Sequence, residues 1–287
     1  MKRLFLFILL ALLGGPCFGG TFVQFRTTLG DIEVELYDQD KPATVRNFIR
    51  YIQSGRYEDI IFHRCIPGFV LQGGRYLTLD RTASEFMSPQ NTFAYQLLSA
   101  ITNEFAVGRR LSNTNGTLAM ARIGGETNSA TSEWFFNLAD NSPLDNVEGG
   151  FTVFGHVVRG TNILAYFNTL ALNFGVIDMR NYYGDSPFGR LFDALPVAYF
   201  GQAPPRANQL YYVDISLLNV QVKLGANRSR EISWTSVFNR PNHVQFTTNF
   251  PPVWQPLATT TGNGQTLSVT DSSSGSAQRF YRVQVDY

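Results

Sequence analysis

Between residues 21 and 37, apolar and polar positions alternate. Phe22, Val23 and Phe25 precede a turn at Leu29-Gly30-Asp31, and Ile32, Val34 and Leu36 follow it with Glu33 and Glu35 between them. A period of two around a glycine turn predicts a β-hairpin. The period changes after Pro42. Val45, Phe48, Ile49 and Ile52 recur at helical spacing, Pro42 stands where a helix tolerates its missing N–H, and Gly55 ends the run, so a helix is expected there. Short strands are expected around residues 60–63 and 69–72, then over 117–122, 134–138 and 151–158. A second helix over 162–173 places Ile163, Leu164, Phe167 and Leu170 on one side, and a strand over 210–220 follows. Residues 75–102 keep no clean period and 175–207 hold several Gly and Pro, so both read as long irregular segments.

Beyond Gly225 the composition shifts to Ser, Thr, Asn and Gln, with short apolar runs near residues 232–237, 244–246, 254–257, 267–269 and 280–285. This predicts a small β-sandwich-like module over 226–287, near the lower size limit for independent folding. The main domain then spans 21–225.

Residues 1–20 form a leader: Lys2 and Arg3 precede an apolar run from Leu4 to Leu13, which Gly14, Pro16 and Gly19 break. That run is about half the ~20 residues a bilayer span needs, so an export signal cleaved after Gly19 is expected, with periplasmic or extracellular residence. Lipid attachment at Cys17 is the lesser alternative because Pro16 precedes it. Losing Lys2 and Arg3 takes the net charge from +1 to −1 and leaves Cys65 as the one thiol. Such a balance excludes an electrostatic nucleic-acid binder, and 44% hydrophobic residues exclude general disorder. Three histidines (His63, His156 and His243) without ligand spacing give no metal site, and the glycine pairs lack a phosphate-loop ending, so no cofactor is expected.

Chemistry concentrates in three stretches, beginning with Phe62-His63-Arg64-Cys65-Ile66-Pro67-Gly68-Phe69-Val70-Leu71-Gln72-Gly73-Gly74. In an alternating strand Phe62 and Arg64 share a face, and a permanent cation among apolar neighbours is costly unless it meets a pocket or a partner. The other two run from Asn115 to Arg122 and from Asn128 through Phe136 to Gly155. The first stretch resembles the cyclophilin family of peptidyl-prolyl isomerases. Gly116-Thr117-Leu118-Ala119-Met120-Ala121, Ser132-Glu133-Trp134-Phe135 and Phe151-Thr152-Val153-Phe154-Gly155 resemble the same family in the same order, over roughly residues 22–220.

The resemblance implies a mainly β fold: an eight-stranded closed antiparallel barrel capped by two helices, with a peptide groove on its outer face. It implies isomerisation of X-Pro bonds, with Arg64, Phe69 and Gln72 as catalytic residues. His63, Val70, Ala121, Arg122, Ile123, Glu133, Phe135, Leu144 and Phe151 fall at substrate-contacting positions, although His63 also reads as a packed strand residue and the Arg122 side chain as a solvated one. Departures stand out. Glu133 replaces a common Gln and offers a carboxylate to Arg64, Pro143 replaces a common Trp, and Phe151 a common His. The expected partners are proline-containing peptides and unfolded exported proteins, with surface or glycan contact through the C-terminal module. No membrane span and a monomeric chain are expected. A second reading stays open, that of a proline-peptide binder without turnover, fused to an adhesive domain.

Overall fold

The structure, a computed structural model, describes residues 21–172, 175–198, 203–218, 220–225, 229–236, 241–249, 252–263, 266–273 and 278–285; the expected leader over 1–20 lies outside the described residues. Strands β1 (Phe22–Thr27) and β2 (Gly30–Leu36) pair antiparallel as the predicted hairpin. Thr27 Oγ1 donates to the Gly30 carbonyl and accepts from the Leu29 N–H, while Gly30 takes φ +124°, open to a residue without a Cβ. Helix α1 (Pro42–Gln53) buries Val45, Phe48 and Tyr51.

The chain continues through β3 (Ile60–Ile61), β4 (Arg64–Ile66), β5 (Val70–Gly73), β6 (Tyr76–Thr78), β7 (Thr92–Ala94), β8 (Thr117–Met120), β9 (Trp134–Asn137) and β10 (Val153–Arg159). Helix α2 (Thr161–Asn168), β11 (Ala171–Leu172), β12 (Gly175–Ile177), α3 (Arg180–Tyr183), α4 (Pro187–Leu191), β13 (Leu195–Pro196) and β14 (Tyr212–Leu218) follow. The main sheet has the order β4-β5-β9-β8-β10-β2-β1-β14-β3-β6-β7. Strands β3 and β4 are two halves of one segment, residues 60–66. Its first half pairs with β14 and its second with β5, and the bonds Phe62 N–H to Tyr211 O and His63 N–H to Gln72 O continue the ladders across the break. Counting 60–66 as one interrupted strand, eight antiparallel strands close into a ring, and β6–β7 extends it as a flap on β3.

The interruption has a consequence for side-chain direction. Ile60 and Phe62 point into the core, and so does Cys65, so the inward phase slips by one residue at 62–63. Arg64 therefore does not share a face with Phe62, contrary to simple alternation. A one-residue slip sends a side chain to the opposite face of a sheet, and here it sends Arg64 outward. Inside the ring, Phe25, Trp134, Phe136 and Phe154 meet Phe48 and Tyr51 from α1 and Phe167 from α2, so both helices plug the barrel with aromatic rings. The paired glycines are explained by the same core: a Cβ at Gly73 would lie 2.9 Å from the Trp134 ring, and one at Gly74 would lie 2.5 Å from the Ser132 carbonyl.

Other expectations change. Helix α2 ends at Asn168 and not at 173, because Thr169 donates its N–H and hydroxyl to the Tyr166 carbonyl and Ala171–Leu172 then pairs with β12. Segments 75–102 and 175–207 are not irregular throughout. The first forms the β6–β7 hairpin, the second forms β12, α3, α4 and β13. Tyr76 and Met87 from one bury against Ile177, Met179, Phe192 and Leu195 from the other. Two stretches with no period of their own thus share a second core, packed on Ile61 and Tyr212.

Lys41, just before α1, has no exposed surface; its ammonium donates to the carbonyls of Glu104, Phe105, Val107 and Arg109 at 2.9, 3.1, 2.5 and 2.8 Å. Burial pushes its pKa below the ordinary lysine value. The Glu104 carboxylate accepts the Ala43 and Thr44 N–H groups at the helix start, so one loop is strapped to α1 from both directions.

The C-terminal region contains β15 (Val220–Leu224), β16 (Arg230–Thr235), β17 (Pro241–Thr247), β18 (Gln255–Thr261), β19 (Thr266–Asp271) and β20 (Phe280–Val285). They form two three-stranded antiparallel sheets, β15-β16-β19 and β18-β17-β20. Ile232 and Trp234 from one sheet pack with Val244, Leu257 and Val283 from the other. The first sheet draws its opening strand from Val220, ahead of the compositional change at Gly225, because Val220 and Val222 register opposite Trp234 and Ile232. Among the described residues no helix is long and apolar enough to cross a membrane.

Candidate active site

Residues directly opposite one another on paired strands share a face. Cys65, Leu71, Phe136 and Leu118 form one such row, and all four are buried in the barrel core. The adjacent row is Arg64, Gln72, Phe135, Ala119 and Val153, across β4, β5, β9, β8 and β10, and it faces outward. Pairing register alone therefore sets Arg64 and Gln72 beside an apolar floor. A separate hydrophobic cluster forms on that side: Val70, Ala119, Phe135 and Val153 are buried, with Phe69, Ala121, Leu144, Phe151, Tyr37 and Leu111 half-buried around them. Six of the residues picked out in the sequence (Phe69, Val70, Ala121, Phe135, Leu144 and Phe151) meet here.

Local chemistry holds each wall. Pro67 and Gly68 make a tight turn with Gly68 at φ +74°, and the Phe69 N–H returns to the Ile66 carbonyl at 2.9 Å. The Phe69 carbonyl accepts from the Leu138 N–H and the Asn141 side chain. Leu144 lies on a short 3-10 turn, Ser142–Asn146. Phe151 stands edge-on to Phe135 with ring centres 5.8 Å apart. A polar network that the sequence reading missed ties these walls together. Asn141 donates to Asn137, Asn137 to Asn113, and Asn113 to Asp145 and the Phe151 carbonyl. Single asparagines near strand ends look like turn residues, and nothing local separates these from the rest.

The Arg64 guanidinium makes no hydrogen bond among the described residues; its ionic neighbour is Asp193, with Oδ1 3.8 Å from Nε. The expected pairing of Glu133 with Arg64 is not found. Glu133 instead accepts from the Gln72 amide at 2.8 Å and sits 3.4 Å from His63 Nε2 and 3.6 Å from Arg75 Nη1. Burial of Glu133 opposes its charge, yet the His63 and Gln72 hydrogen bonds and the nearby Arg75 guanidinium outweigh it and hold the carboxyl below its ordinary value. A carboxylate only accepts, so the Gln72 amide nitrogen must face Glu133 and its carbonyl oxygen must face away.

His63 is 3% exposed, wedged edge-on against Tyr76, and so lies beneath the groove, without surface for a substrate. Ile123 is 60% exposed at the rim. Arg122, expected at a substrate-contacting position with a solvated side chain as the alternative, is not solvated. Its guanidinium lies 4.3 Å from the Phe151 ring centre, pairs with Glu148 at 2.7 Å and donates to the Val147 carbonyl at 2.9 Å. It braces the wall carrying Phe151. Among the described residues no group of three or more His, Cys, Asp or Glu is arranged to hold a metal ion.

The family model for cyclophilin-type peptidyl-prolyl cis-trans isomerases matches residues 22–190. The chain is 36% identical over 166 residues to a peptidyl-prolyl cis-trans isomerase of Acinetobacter baylyi, covering 57% of this chain and 80% of that one. It is 41% identical over 145 residues to peptidyl-prolyl cis-trans isomerase A of Dickeya dadantii, covering 50% and 68%. A crystal structure of a Cryptosporidium parvum cyclophilin-type isomerase aligns at a TM-score of 0.44 and 20% identity, over 69% of this chain and 98% of its own. The family match spans more than half of the chain, and the chain covers two thirds or more of both relatives at over 30% identity: the chain belongs to the cyclophilin-type peptidyl-prolyl cis-trans isomerases.

Proposed function

We propose that the chain isomerises X-Pro bonds of exported proteins by binding the twisted imide between the Arg64 guanidinium and the apolar floor around Phe69 and Phe135. The bond turns over a barrier of roughly 18–20 kcal/mol, which is loss of amide resonance, so catalysis needs neither nucleophile nor cofactor. It needs a site that binds the twisted amide better than either planar form. On twisting, the prolyl nitrogen regains its lone pair and becomes an acceptor, and a fixed guanidinium is a donor that stays charged at any working pH. Phe69, Phe135, Leu144 and Phe151 would hold the pyrrolidine ring, and Gln72 would meet the substrate backbone.

The single observation that carries this reading is the outward row Arg64, Gln72, Phe135, with a guanidinium that no described residue hydrogen-bonds. Export is supported by the apolar leader and its charged start. The C-terminal sheets would serve attachment or client presentation. Trp234 belongs to their core at 2% exposure, which leaves half-buried Trp254, stacked under Arg282 at 4.5 Å, as the aromatic for a glycan or surface. A binder without turnover is the second reading, favoured by the Glu133 carboxylate bound to Gln72 and by the inserted segment 75–102. A protease-coupled assay on a short X-Pro peptide separates the two: wild type accelerates the slow phase and Arg64→Ala does not. Wild-type traces equal to the blank would sink the enzyme reading.

A further inference from the structure

We infer that Asp193 is a specificity-determining residue of the isomerase groove, one that disfavours acidic side chains next to the proline; this rests on the assignment of Arg64 to the groove proposed above. Asp193 comes from the second core, not from the barrel. Phe192 and Leu195 on either side of it are buried there, and the Ala194 carbonyl accepts the Cys65 N–H at 2.7 Å, so this segment is fastened along the edge of β4 next to Arg64. The Asp193 carboxylate then stands 3.8 Å from Arg64 Nε, with the two side chains 39% and 32% exposed. It addresses the Nε side of the guanidinium and leaves the terminal nitrogens for a ligand.

The neighbouring cations have carboxylates of their own. Arg75 faces Glu133, Arg122 pairs with Glu148, and Arg180 is held along its Nε edge by Asp178, with Asp193 and Asp185 adding a weaker attraction. Among the described residues Asp193 is the carboxylate within ion-pair distance of Arg64, and it offsets that charge. Without it, a bare cation at the groove would draw acidic side chains and repel basic ones. With it, a ligand carboxylate approaching Arg64 meets a like charge, and a ligand ammonium meets an opposite one. Both groups touch solvent, so the effect is screened and modest.

The test uses the full chain and X-Pro peptides that differ only in a Glu or a Lys flanking the dipeptide, on either side. The readout is the Lys-to-Glu ratio of kcat/KM, and in parallel the same ratio of binding constants, so a chain that binds without turnover still answers. For wild type at low ionic strength the ratio lies at or above one. Asp193→Asn lowers it about two- to fivefold, Asp193→Lys lowers it further, and about 0.5 M salt erases the differences. Equal ratios in all three proteins at low salt overturn the inference while leaving isomerisation standing. Loss of turnover with the binding ratios still ordered as above would instead count against the enzyme reading alone.

Discussion

The Gln72 amide donates to the Glu133 carboxylate at 2.8 Å while Gln72 itself stands directly across the β4–β5 ladder from Arg64. An acceptor-only group thereby fixes which end of the amide is left for a ligand. Replacing Glu133 by Gln frees that amide to reverse. At neutral pH kcat/KM should fall about two- to tenfold, the worth of one hydrogen bond. The folded-state pKa of Glu133 is depressed, so its contribution to stability is present above the ordinary carboxyl value of 4.5 and is lost as pH falls through the depressed value. Wild type should therefore lose stability below about pH 4.5 more steeply than Glu133→Gln, as read by denaturant midpoints across a pH series.

Arg64→Lys should be nearly as damaging as Arg64→Ala, about a hundredfold in kcat/KM, because an ammonium keeps the charge and loses the planar fork. A lysine variant within a few-fold of wild type would show that charge alone suffices.

Lys41→Met should remove a cation that has no exposed surface and leave four backbone carbonyls without their common donor. A loss of about 3 kcal/mol or more is expected in the barrel's unfolding transition. Exposure of the loop carrying Glu104 to proteolysis should accompany it.

In the C-terminal sheets, Asp271 accepts from Tyr281 and Arg279 at 2.6 and 2.7 Å and from the Ser273 N–H and hydroxyl. Burial works against its charge, but these donors draw its pKa down to about 2. That stabilisation is complete above the ordinary aspartate value and disappears as pH falls toward 2. Asp271→Asn should cost about 2 kcal/mol at pH 7 and almost nothing near pH 2, measured by the near-UV signal of Trp234.

Deleting residues 220–287 should leave small-peptide turnover unchanged, since every groove residue belongs to the barrel or to the second core. Cutting later, within the first C-terminal sheet, would leave Val220, Val222 and Leu224 without their partner strand, and aggregation should follow.

Much of this molecule was legible before any coordinates. The hairpin at Gly30 and helix α1 follow from periods of two and 3.6, and the groove residues Phe69, Gln72 and Phe135 from the family resemblance of four motifs in order. What escaped has a common cause. Lys41 meets carbonyls more than sixty residues away, Asn113 and Asn141 act through partners on other loops, and Asp193 reaches Arg64 only because two aperiodic segments bury their aromatics in each other. The outward turn of Arg64 was hidden differently: counting alternate positions presumes an unbroken strand, and the break at 62–63 reverses the count.

That break also sets a timescale. Because residues 60–66 belong to one lateral neighbour at their start and to another at their end, an opening of this segment would part both seams of the cylinder together and draw Arg64 away from Phe135. Deuterium uptake at the Phe62 and His63 amides should consequently report how long the substrate cleft stays assembled, without any substrate being added.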